Sequence, residues 1–312
     1  MATGSSSAEL PPFAVLLVAY GGPHNLAEVE PFLLDVRGGR PTSPEIVAEV
    51  RARYAAIGGG SPLLRRTEAQ AAGLAKSLYD GVPVYVGMRH WHPYIADAMT
   101  RIQADGHRRV VALPLAPHFS HLSIGAYQRK IEAGRGALEV RTVHQWFDHP
   151  GFLDAVAARV AHALTRFDPV ARDQVALLFT GHSLPQRILA DGDPYPDQLR
   201  ASVDGVLARL GRPAARFAFQ SAGRTDEPWL GPRVEDVLAE LAARGAREAL
   251  VCPIGFVSDH LEILYDLDIE LRQLAARLSI RLERTESLND DPRFVTALAD
   301  LVRREAEKAG WA

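Results

Sequence analysis

Cysteine is almost absent from this chain of 312 residues; Cys252 is the only one. A single thiol excludes an internal disulfide, and it excludes a four-cysteine iron–sulfur cluster held by one chain. Long apolar runs are missing too, and none approaches the roughly 18 residues of a membrane-spanning helix. Neither sign of charge dominates, with 35 Lys and Arg against 38 Asp and Glu, so no broad basic surface is available for nucleic acid. The polar, Ser-rich start over 1–12 lacks a basic-plus-apolar signal pattern and reads as a frayed cytosolic terminus. Three familiar site motifs also fail. Gly21-Gly22 is not the full dinucleotide fingerprint, and Ile57-Gly-Gly-Gly-Ser-Pro62 has no Lys-Ser/Thr after it as a P-loop requires. Leu184-Pro185 follows Ser183 where a hydrolase elbow needs x-Gly.

What is present is an α/β pattern. Near-continuous apolar strands are predicted over 14–19, 82–87, 109–116, 174–180 and 249–256. Amphipathic helices are predicted over 43–57, 65–79, 93–105, 151–167, 196–210, 231–244 and 292–309. Apolar strands alternating with such helices indicate parallel sheets covered on both faces. The length implies two domains of about 150 residues each. These are assigned to 1–150 and 170–290, joined through Asp168–Asp173, with the segment 291–312 folding back on the first.

The halves echo each other. The stretch from Gly106 to Leu122 aligns without a gap with that from Gly245 to Leu261, and Gly, Arg, Pro, His and Leu coincide at a constant offset of 139. Ala14-Val-Leu-Leu-Val-Ala-Tyr-Gly similarly resembles Val175-Ala-Leu-Leu-Phe-Thr-Gly-His. Two ordered matches suggest a duplicated α/β unit. Ligands of such folds sit outside the carboxyl ends of strands, which here gathers Tyr20, His118, His182 and Glu262 around one cleft.

The most informative segment runs from Asp259 to Glu270. Glu262, Asp266 and Glu270 recur every four residues, so on a helix they stack along one face, with Leu264, Leu267, Leu271 and Leu274 opposite. No Lys or Arg interrupts the row. Uncompensated carboxylates where a strand feeds a helix suit a cation or a proton relay. The same residues also fit a bland reading, with Asp259 and Glu262 as a capping box and the others as a solvated face. His182 after its strand is likewise either a loop-bonding side chain or a reactive imidazole. His118/His121 and His90/His92 do not assemble a four-ligand zinc site.

Taken together, the motifs resemble those of the ferrochelatase family, the class II chelatases that insert ferrous iron into a porphyrin. The matching stretches are Leu17-Val-Ala-Tyr-Gly-Gly-Pro23, Tyr54-Ala-Ala-Ile-Gly-Gly-Gly-Ser-Pro62, Gly181-His-Ser-Leu-Pro185, Asp193-Pro-Tyr-Pro-Asp-Gln198, the run from Gln220 to Pro232, and that from Gly255 to Glu270. They span nearly the whole chain in family order. The resemblance implies two similar Rossmann-like domains, each a parallel sheet flanked by helices, with the porphyrin in the cleft between them. It implies His182 and Glu262 as the catalytic pair and first metal contacts, with Asp266 and Glu270 extending the metal line outward. Tyr20 would lie on the opposite porphyrin face, and Arg37, Ser61, Arg89, His90, Tyr127 and Ser221 near the substrate. Fe²⁺ would be a substrate, with no resident cofactor and no iron–sulfur cluster.

Within the family the chain is most similar to the soluble coproporphyrin type. Charged residues Asp35, Arg37, Arg40, Glu45, Glu49, Arg51 and Arg53 punctuate the lip over 32–57, a rim too charged to lie in a bilayer. Gly38 stands where close relatives carry a second Arg, and Arg89 stands where they carry Lys before His90. The expectation is insertion of iron into coproporphyrin III by a cytoplasmic monomer. It would have no nucleic-acid partner and no membrane insertion, and would meet a downstream haem-pathway enzyme. Protoporphyrin IX insertion and a non-catalytic porphyrin or haem carrier are the alternatives.

Overall fold

The computed structural model describes residues 11–78, 81–223 and 225–311. The polar start over 1–10, the predicted helix end at Tyr79, Arg224 and Ala312 lie outside them.

Two four-stranded parallel sheets form the frame. In the first half, β1 (Ala14–Ala19), β2 (Val84–Met88), β3 (Arg109–Pro114) and β4 (Glu139–Thr142) are ordered β2-β1-β3-β4. In the second, β5 (Ala176–His182), β6 (Arg216–Gln220), β7 (Glu248–Cys252) and β8 (Arg281–Arg284) are ordered β6-β5-β7-β8. The strand order is the same in both. Ala14 pairs with Val110 in the first sheet and Ala176 with Ala249 in the second, one residue on from the pairing that the sequence repeat would give. The repeat read at offset 139 aligns not only β3 with β7 but also the helices that precede them.

The helices of the first half are α1 (Val29–Val36), α2 (Pro44–Ala56), α3 (Leu63–Ser77), α4 (Ile95–Ala104), α5 (Ile124–Gly134) and α6 (Pro150–Leu164). Those of the second are α7 (Arg187–Ala190), α8 (Tyr195–Leu210), α9 (Val234–Ala243), a π-helix (Glu262–Leu271) running into α10 (Arg272–Arg277), and α11 (Pro292–Lys308). Their starts follow local chemistry. Ser43 caps α2 through Ile46 N–H and Asp291 caps α11 through Arg293 N–H, each followed by Pro at the first helical position. At its other end α8 closes on Gly211 in the left-handed region.

Alternate residues of each central strand face different interiors, as period-two geometry requires. Ala14, Leu16 and Val18 turn outward onto α4 and α5, while Val15 and Leu17 turn inward. In the second half Ala249 and Val251 face outward, and Leu250 and Cys252 inward. The inward sets of both sheets join one continuous core, filled by α6, α8 and α11. α11 packs against α3 and α6, so the last helix leans on the first half of the chain. Phe294 is fully buried there, its ring 5.9 Å from that of Trp146.

The short strands β4, β6 and β8 and the helices α1, α5, α7 and α10 go beyond the sequence expectations. β4 and β8 are edge strands of four residues with charged side chains, too brief to stand out by apolar content.

Phe294→Ala removes an aromatic side chain from the core common to both sheets. It is expected to cost about 3–5 kcal/mol of unfolding free energy, read by chemical denaturation.

Candidate functional site

The carboxyl ends of β5, β6 and β7 converge. Gly255, in the loop after β7, passes so close to β5 that a Cβ on it would stand 2.8 Å from the Gly181 Cα. Only glycine fits that crossing, which brings the 255–262 loop beside His182. The His182 Nδ1 donates to the Ser183 carbonyl, and its Nε2 faces Glu262 Oε1 at 3.4 Å. The other carboxylate oxygen of Glu262 is 3.5 Å from His260 Nε2, and the His260 Nδ1 donates to the Ser258 carbonyl. Glu262 therefore stands between two imidazoles, each held by its far nitrogen. Gln220 Nε2 donates to the Glu262 carbonyl while its oxygen accepts from the Thr180 hydroxyl, and Tyr195 donates to the His182 carbonyl.

This geometry sets the protonation. A neutral His182 with its proton on Nδ1 would aim a lone pair at a carboxylate, so a proton or a dication is wanted between the two. Burial pushes His182 toward neutrality, but the charge and hydrogen bond of Glu262 outweigh it and raise the imidazole above its ordinary value. Burial pushes Glu262 the other way, yet His182 and then His260 hold the carboxyl well below the usual carboxylate range. Together these effects favour imidazolium facing carboxylate.

The segment after Glu262 is helical as expected, but wound as a π-helix. Its buried stripe is Ile263, Leu267, Leu271 and then Ala275, not the set beginning at Leu264. The capping-box reading fails, because Asp259 makes no cap. Its carboxylate instead accepts from Asn289 Nδ2 at 2.8 Å and Arg66 Nη2 at 3.3 Å.

Nor is the acidic row uncompensated. Arg53 of α2 reaches across from the other half, with guanidinium nitrogens 3.6 Å from Asp266 and 3.7 Å from Glu270, and lies 5.0 Å from the Tyr265 ring. Asp266 also accepts from the Ser221 hydroxyl at 2.6 Å, with Ser221 held at φ 58°. Burial, assisted by the charges of Glu262 and Glu270, raises Asp266 to about 6 despite Ser221 and Arg53.

The facing wall comes from the first half. Tyr20 follows β1, its ring 4.7 Å from that of His90, whose Nδ1 is 2.8 Å from Asp35 of α1. Arg89 lies between the Tyr20 and Tyr127 rings, 5.8 Å from each, and donates to the Leu122 carbonyl. Burial first, and the Glu262 charge second, push the Tyr20 phenol up to about 12, so the two walls share one electrostatic field. Ser61 packs against Gly22, where a Cβ would stand 2.6 Å from the Ser61 hydroxyl oxygen. Arg37 is exposed at the end of α1, and Arg40 donates to its carbonyl.

One expected member is absent from the cleft. His118 is buried, its Nε2 2.9 Å from the Ser202 hydroxyl, and burial alone takes it down to about 3. Sequence reasoning missed His260, Arg53 and Tyr195. His260 was legible beside Glu262; Arg53 was not, since its acidic partners lie more than 200 residues away.

A family model described as Ferrochelatase matches residues 12–306. A ferrochelatase of Herpetosiphon aurantiacus is 48% identical over 297 residues, covering 93% of this chain and 97% of that one. A coproporphyrin III ferrochelatase of Geobacillus thermodenitrificans is 39% identical over 305 residues, covering 95% and 96%. Among solved structures, SirB of Bacillus subtilis with Fe³⁺ shares the fold at a TM-score of 0.62 and 13% identity, covering 95% of this chain and 97% of that one.

The raised Asp266 carboxyl gives a signed prediction. Ionising it costs more in the folded than in the unfolded chain, so its contribution is intact at low pH and lost as pH rises through the folded value. Asp266→Asn is expected to be more stable than the wild type by about 2 kcal/mol near pH 8, the difference vanishing below about pH 4 in urea unfolding.

Proposed function

The chain belongs to the ferrochelatase family, and from that premise we propose that it inserts Fe²⁺ into a porphyrin, with coproporphyrin III as the substrate. The observation that carries the reading is the pair of His182 Nε2 and Glu262 Oε1, 3.4 Å apart on one wall and opposed by Tyr20 on the other.

Insertion exchanges two pyrrole protons for one dication, so the site must accept protons and pass metal at the same point. His182 and Glu262 suit this, since the same two atoms bind a proton between them or, once it leaves, present a lone pair and a carboxylate oxygen to Fe²⁺. The first event is loss of the resident imidazolium proton, after which His182 is free to take one from a pyrrole. Asp266, near 6, is matched to passing protons outward at neutral pH. Walls from two halves that share one core can grip a nearly planar ring and hold it bent, strain drawn from the binding of its periphery.

The coproporphyrin choice rests on the rim. α1, α2 and the turn between them carry Asp35, Arg37, Arg40, Glu45, Glu49 and Arg51, a polar frame for a ring bearing four carboxylates, while Arg53 is turned to the acidic row. No helix among the described residues is long and apolar enough to cross a membrane. Several relatives at 37–39% identity are coproporphyrin III ferrochelatases, while those at 48% and 41% are named only ferrochelatases. We further propose His182, Glu262, Asp266 and Glu270 as metal contacts, and Tyr20, Arg37, Ser61, Arg89, His90, Tyr127 and Ser221 as porphyrin contacts.

The test is anaerobic Fe²⁺ insertion followed by absorbance, with coproporphyrin III and protoporphyrin IX offered separately. Two additional carboxylates at an exposed rim predict a preference for coproporphyrin of roughly tenfold in kcat/KM. His182→Ala should abolish insertion while leaving porphyrin binding largely intact. A preference for protoporphyrin contradicts the substrate choice; normal turnover by His182→Ala removes that residue from the chemistry.

A further inference from the structure

A cation lies in the acidic row. Arg53 belongs to α2 of the first half, Asp266 and Glu270 to the π-helix of the second. Its guanidinium stands 3.6 Å from an Asp266 oxygen and 3.7 Å from a Glu270 oxygen, and 3.1 Å from Glu49 one turn back on its own helix. The separations to Asp266 and Glu270 are those of ion pairs, not of tight bidentate hydrogen bonds. The Asp266 Oδ1 it faces is buried and accepts no hydrogen bond. Arg53 thus neutralises these carboxylates without saturating them. If it leaves them, the Tyr265 face and Glu49 remain as partners, so its withdrawal strands no charge.

We propose that Arg53 is a resident counter-cation that competes with divalent metal for Asp266 and Glu270, keeping the row's hold on a dication weak. This rests on the reading of that row as the metal's route. A dication approaching Asp266 meets a fixed positive charge under 4 Å away and must displace it. Three carboxylates in line would otherwise draw a hard dication and retain it, since oxygen donors are what such ions prefer. An ion held there would stall a relay. A monovalent occupant that lets go without leaving the protein permits passage and disfavours storage. Arg53 so acts through the carboxylates, as a positioning residue, and not on the reacting atoms.

The test reads metal binding without porphyrin. Mn²⁺ is titrated into the full-length wild type, Arg53→Gln and Arg53→Lys, with free Mn²⁺ measured by its electron paramagnetic resonance signal. Loss of two partly exposed ion pairs predicts that Arg53→Gln binds Mn²⁺ on the order of tenfold more tightly. Arg53→Lys, which keeps the charge, should stay near the wild type, and adding Glu270→Gln to Arg53→Gln should reverse much of the gain. Unchanged or weaker binding by Arg53→Gln overturns the proposal, as does equal tightening by Arg53→Lys. Iron insertion by the wild type is measured alongside. A wild type that turns over while Arg53→Gln binds no tighter sinks only the competition. Tighter Mn²⁺ binding in a protein that inserts no iron leaves the competition standing and sinks the chelatase reading.

Discussion

Glu262 keeps a negative charge in a half-buried position because His182 and His260 stand on either side of it. Each imidazole is turned by a backbone carbonyl at its Nδ1, so both Nε2 atoms point at the carboxylate. Without that arrangement burial would push Glu262 toward its neutral acid and His182 toward its neutral base. The pair would then neither hold a proton nor be poised to exchange it. Gly255 against Gly181, Gln220 between Thr180 and the Glu262 carbonyl, and Tyr195 on the His182 carbonyl all serve to fix this geometry.

The duplicated frame supplies the second wall. Tyr20 directly follows β1 and His182 ends β5, so each stands at the carboxyl end of its central strand. At the offset of 139 residues, Tyr127 of α5 corresponds to Asp266 of the π-helix. The first half supplies Tyr20, Tyr127, Arg89 and the His90–Asp35 pair, and the second supplies His182, His260 and the carboxylates of the π-helix. A flat, π-rich ligand with reactive nitrogens at its centre is what such unlike walls accommodate. The shared core beneath, filled by α6, α8 and α11, ties the two sheets together, and cross-links such as Arg66–Asp259 and Gln70–Ser258 continue that connection toward the cleft.

Much of this was legible in the order of residues, for identifiable reasons. β1 was read to its end residues because a central parallel strand is apolar on both faces and stops abruptly at Tyr20. The repeat suggested a duplicated α/β unit, and the two sheets do share one strand order. The acidic row was visible as a spacing of four, yet α-helical geometry was assumed, and the apolar stripe was misassigned by one position at each end. His118 was placed in the cleft by strand-end logic alone, which says where a residue sits but not which way its ring turns. Arg53 was counted as a rim charge, since sequence does not show that α2 lies over the π-helix.

The central claim is that one proton rests between His182 and Glu262, at the point where the proposed chemistry puts the metal. The most direct measurement is a pH titration of the His182 ring nitrogens by ¹⁵N nuclear magnetic resonance, in the wild type and in Glu262→Gln. The account predicts titration above the ordinary histidine value in the wild type, falling below it once the Glu262 charge is removed and burial dominates. A His182 that titrates at or below the ordinary value in the wild type, or that is unmoved by Glu262→Gln, would contradict it.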